Sequence, residues 1–210
     1  RMLFLMFISF FTSRILLREL GVEDYGIYNV VGSVVAIFSS IQGLLASSTQ
    51  RFLNYEHGKG NSSQLNKIFS MSVLIHVGLS LLFLIVILPI GLWIINNYLV
   101  IPTNRINAAN WVFVFSIFSA IITIMTVPYN AVIIANEKMS AFAYISILDG
   151  LLRLGIIFLL IHTAFDQLIT YAVLLFGVGF LVRIVNMLYC KKNFQEAKRV
   201  TFFWDKELLK

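Results

Sequence analysis

Charge is scarce in this chain: only 12% of its 210 residues are Asp, Glu, Lys or Arg, while 59% are hydrophobic. That leaves too little polar surface for a soluble domain of this length. Cysteine is scarcer still. With Cys190 alone, an intrachain disulfide and a cysteine-based metal centre are both excluded. The three prolines leave long apolar runs uninterrupted, and those runs lack the alternation that a membrane β-barrel requires. Pairs of catalytic groups are missing too. "HTAFD" sets His162 and Asp166 three residues apart, one short of a membrane acyltransferase spacing, and "HGKGN" at 57–61 lacks the spacing of a phosphate-binding loop and follows no strand. No catalytic residue, cofactor or metal ligand is therefore expected, and the chain is not read as an enzyme.

What remains is hydrocarbon-matched helix. A bilayer core of roughly 30 Å takes about 20 apolar residues in a helix that satisfies its own backbone hydrogen bonds. Six segments fit an all-α, polytopic bundle: 2–17, 27–48, 68–95, 111–134, 141–161 and 168–189. Together they make one domain over 1–189, followed by a basic surface segment at 190–210. The first segment opens on Arg1 instead of a start methionine, so the expectation is a chain that begins within or just before its first helix. "FTSRILLREL" offers no small-residue cleavage site and does not read as a signal peptide.

Positive charge sets the expected orientation, since cytoplasmic loops retain Lys and Arg. Loops after the second, fourth and sixth segments hold Arg51, Lys59, Lys67, Lys138, Lys191, Lys192, Lys198, Arg199, Lys206 and Lys210. Those after the first, third and fifth hold only Arg14, Arg18 and Arg105, beside Glu19, Glu23, Asp24 and Asp166. Both ends are thus predicted to be cytoplasmic. The net charge of +6 follows from this topology and from attraction to anionic membrane lipids, and gives no warrant for nucleic-acid binding. Trp93, Tyr98 and Trp111 suit the outer interface as anchors.

Against that background "LDGLLRLG" at 148–155 stands out. Asp149 and Arg153 share one helix face and can pair. At the bilayer centre each would cost about 2.5–3.5 kcal/mol facing lipid, so they should face protein or water. Two readings stay open: a structural pair that pins packing, or an arginine on a polar path, held by Asp149 and extended by Ser146. Arg183 either lines the path or snorkels to headgroups. His76 is a protonation site or a packing residue. In the second segment Asn29, Gly32, Ala36, Ser39, Ser40, Gly43, Ser47 and Gln50 form a small, weakly polar face that admits a close helix or borders a cavity. Pro128 and Asn130 in "TVPYNA" mark a kink, static or hinge-like.

Longer stretches carry a resemblance. "TSRILLRELGVEDYGIYNVVGSVVAIFS", "SSTQRFLNYEHGKGN", "ANWVFVFSI", "VPYNAVIIANEKMSAFAYISILDG" and "FFWDKELLK" resemble the amino-terminal half of bacterial oligosaccharide flippases of O-antigen and capsule assembly. These belong to the superfamily that also holds the multidrug and toxic compound extrusion transporters. The resemblance implies one bundle of a two-bundle transporter in a bacterial inner membrane, completed by a second six-helix bundle. It implies an undecaprenyl-pyrophosphate-linked oligosaccharide as cargo, moved between leaflets by alternating access without ATP hydrolysis. Arg14, Arg18 and Arg51 match basic positions of that family and become candidate headgroup contacts with Asp149, Arg153 and Arg183. Two other readings are kept: a cation-coupled drug exporter of the same superfamily, and a non-transporting scaffold in glycan assembly.

Overall fold

The structure is a computed structural model that describes residues 2–60 and 62–198, with side chains at all but Phe4, Val34, 36–42, 44–45 and 62–63. Five helical stretches follow in order: α1 (Met2–Gly58), α2 (Ser62–Asn97), α3 (Ile106–Ala135), α4 (Met139–Ile161) and α5 (Gln167–Asn193). No strand occurs among the described residues.

α1 is two helical limbs joined at Gly21, whose backbone sits at φ 75° and ψ 172°. That conformation is open to glycine and strained for any residue with a Cβ. The chain therefore has six helices, in the order expected. The loop predicted over 18–26 is almost entirely helical instead, and so is most of 54–67. Wherever water or a neighbour meets the ends, nothing in "NYEHGK" or "SSQLNK" forbids another turn, because helices need not stop where apolar residues do.

Four helices are long and apolar enough to cross a membrane: Gln64–Asn97, Ile106–Ala135, Met139–Ile161 and Gln167–Asn193. The two limbs of α1, read from the sequence as two further spans, are not among them. The apolar run at 2–17 falls short of the roughly 20 residues a crossing takes, and Arg14, Arg18 and Glu19 crowd its end.

α3 is the axis of the bundle, packing on α1, α2, α4 and α5. Phe113 is fully buried against α2 because Gly91 has no side chain; a Cβ there would lie 1.9 Å from the Phe113 ring. Apolar clusters close both ends. One gathers Leu20, Ile95, Phe113, Ile117 and Leu160, the other Leu53, Phe69, Val132 and Ile133.

The segment after α5 is not the plain surface tail that its basic composition predicts. Cys190, Phe194 and Ala197 are buried in the second cluster. The Asn66 side chain donates to the Glu196 carbonyl at 2.8 Å, and Asn136 donates to the Glu196 carboxylate at 2.9 Å. Only Lys191, Lys192, Asn193, Gln195 and Lys198 face outward in this stretch, which is why its charge count suggested a surface strand of chain. Arg199, Lys206 and Lys210 lie outside the described residues.

Candidate functional site

Between the two apolar ends lies a polar middle, built chiefly by α3, α4 and α5. Asp149 and Arg153 form the expected pair on α4: Arg153 Nε donates to Asp149 Oδ1 at 3.0 Å and Oδ2 at 3.1 Å. The carboxylate grips only the Nε edge of the guanidinium. Among the described residues nothing accepts from its two terminal nitrogens, so the outward fork of Arg153 stays free for an oxyanion.

That fork stands between two cavities. One, of about 340 Å³, is bounded by Tyr28, Gly32, Ser116 and Ser119. The other, of about 310 Å³, is bounded by Thr126, Asn130, Ser146, Asp149 and Asn186. Thr123, Arg153 and Gly179 belong to both walls, so the cavities meet at the arginine. The small face of α1 borders a cavity at Gly32, while Asn29, Gly43 and Ser47 are exposed. Ala36, Ser39 and Ser40 have side chains outside the described residues.

The remaining residues singled out from sequence divide. Asn130 faces the second cavity, and Pro128 is buried within α3. α3 runs through Pro128 without a break in its helical assignment, whereas Gly21 is the non-helical point inside α1. Arg183 lies off both cavities with its Nη1 buried and unpartnered, nearest in charge to Tyr129. Arg14, Arg18 and Arg51 are exposed and line neither cavity; Arg18 reaches only Glu19, at 4.0 Å. His76 is buried, its Nδ1 2.7 Å from the Ser72 carbonyl and its Nε2 without a partner.

One constellation was not anticipated. Arg105, in the α2–α3 connection, bridges Asp24 of α1 and Asp166, the residue that caps α5. Asp166 Oδ1 accepts from the backbone of Leu168 and Ile169, leaving Oδ2 for the arginine. Asp24 is 5% exposed, and burial pushes its carboxyl above the usual range despite the nearby Arg105 guanidinium. All three charges had been assigned to loops at one end, but their partnership joins positions 61 and 81 residues apart. Trp93 and Tyr98, ring centroids 4.9 Å apart and both exposed, flank the same end.

Among the described residues no three His, Cys, Asp or Glu side chains are grouped to hold a metal ion. No family model, curated protein or solved structure matches the chain.

Proposed function

We propose that this chain is one bundle of a membrane transporter that carries an anionic, lipid-linked oligosaccharide across a bacterial inner membrane, with the cargo chemically unchanged. In this reading six helices cross the bilayer, including both limbs of α1, and the two ends are cytoplasmic. A second six-helix bundle faces the cavities, and the site alternates between the two leaflets.

The observation that carries the proposal is the free fork of Arg153 at the meeting of two cavities. A pyrophosphate offers the planar, paired oxygens that such a fork binds best. Asp149 holds the guanidinium by its Nε edge and so fixes its aim. A drug exporter selective for cations would need an unpaired carboxylate here, and Asp149 is engaged. A scaffold would bury the pair between packed helices, and cavities lie there instead. Arg183 has an unsatisfied Nη1 within one helical turn of Asn186 and is a second candidate for the cargo path. Arg14, Arg18 and Arg51 suit a headgroup that is still outside the bundle.

The test replaces Arg153 with Ala in the full-length gene, with membrane abundance checked. Surface glycan should fall while lipid-linked precursor accumulates inside, with drug susceptibility unchanged. Normal glycan export at normal abundance would sink the proposal, and loss of drug resistance alone would turn it toward the exporter.

A further inference from the structure

α3 carries a polar row that the apolar sequence around it disguises. Ser116, Ser119, Thr123, Thr126 and Asn130 follow one another at spacings of three, four, three and four, which keeps them on one face of a helix. Every one of them lines a cavity: the first three border the Tyr28 side, and the last three border the Asn186 side. The row runs about 21 Å at about 1.5 Å per residue and passes directly opposite Arg153.

Its chemistry is one-sided. Thr123 Oγ1 donates to the Ser119 carbonyl at 2.9 Å, and Thr126 Oγ1 donates to the Ile122 carbonyl at 2.7 Å. Across the cavity Ser146 Oγ donates to the Phe142 carbonyl at 2.7 Å. Each hydroxyl proton is thereby committed to its own helix, and what faces the cavity is oxygen lone pairs. Asn186 repeats the pattern independently. It is 2% exposed, its Nδ2 donates to the Val182 carbonyl at 3.0 Å, and its Oδ1 is left without a partner in the wall of the same cavity. A buried acceptor of this kind is costly unless something donates to it.

The walls therefore present acceptors along a row and a donor fork at one point. A molecule that complements both has many O–H donors and an anionic oxygen group next to them. Cationic or purely apolar ligands satisfy neither half. We infer that the α3 row, completed by Asn186, is the recognition track for the hydroxyl groups of a sugar phosphate whose phosphate is held by Arg153. The inference rests on the proposed anion role of Arg153 and adds the specificity residues. Thr123 is the pivotal member, because it lines both cavities beside the arginine.

The test measures binding to the purified chain in phosphatidylcholine nanodiscs, with inorganic phosphate and glucose 1-phosphate as probes. The wild-type chain should prefer glucose 1-phosphate by about tenfold or more, the scale of one or two net hydrogen bonds. Thr123→Val/Thr126→Val keeps side-chain shape, and should reduce that preference to about twofold while phosphate binding stays unchanged. Ser119→Ala/Asn130→Leu, a second pair on the same row, should act in the same direction, and retained phosphate binding certifies that each variant is folded. Full preference in both variants would overturn the inference, and so would a wild-type chain that binds phosphate without preferring the sugar. If Arg153→Gln leaves phosphate binding intact, the anion reading fails instead.

Discussion

Arg105 donates to Asp24 from one terminal nitrogen while the other holds Asp166, so a single guanidinium ties the start of the second α1 limb to the first turn of α5. Asp24 is the most deeply buried of the three, and its Oδ1 has no partner of its own.

Removing Arg105 should therefore cost more than removing either acid. Arg105→Met strands a buried carboxylate, and the expected loss lies toward the lower end of about 3–5 kcal/mol because the arginine is partly exposed. Asp24→Asn should be milder, since burial already disfavours its charge and Asp166 still occupies the arginine. Asp166→Asn should be mildest, because asparagine still caps a helix. Thermal unfolding of the three variants in detergent gives the order, and an Asp24→Asn loss as large as that of Arg105→Met would contradict it.

At Gly21 the surroundings are empty: a Cβ would meet nothing within 4 Å. Gly21→Ala should still destabilise by about 1–3 kcal/mol, since φ of 75° is strained for alanine. A neutral result would mean that the limbs can rejoin at another angle for no cost.

Gly91 makes the opposite case. Its φ demands nothing special, but the Phe113 ring occupies the place of a side chain. Gly91→Ala should cost about 1–3 kcal/mol through overpacking. Combined with Phe113→Leu, the loss should be smaller than the sum of the single losses, a coupling that unfolding measurements on the four chains detect.

Cysteine reactivity tests burial and topology together. Cys190 is fully buried with Sγ 3.4 Å from the Tyr129 carbonyl, so the native thiol should resist maleimide until the chain is unfolded. Asn104 is exposed. Asn104→Cys should label from outside intact cells, and protection there would reverse the proposed orientation.

Much of this architecture is readable from residues alone, for identifiable reasons. Helices of about 20 or more apolar residues announce themselves, and Asp149 and Arg153 sit four apart, so local spacing is enough to pair them. The Arg105 cluster is invisible to that logic because its members meet only through packing. Tail docking is hidden for another reason: Phe194 and Ala197 are two apolar residues among lysines, too few to form a periodic signal. The α3 row does have a helical period, in "SIFSAIITIMTVPYN", yet Ser and Thr in apolar helices commonly bond their own backbone and stand out from nothing. Pro128 drew attention as the source of bending, whereas the backbone departs from helix at Gly21, where the sequence showed only a turn.

Glu196 is held from two sides, by Asn66 at the start of α2 and by Asn136 where α3 ends. The stretch of chain beyond residue 198 consequently starts from a fixed anchorage, not from a loose tether. Tension applied to it would be delivered along α3, the same rod that bears the hydroxyl row.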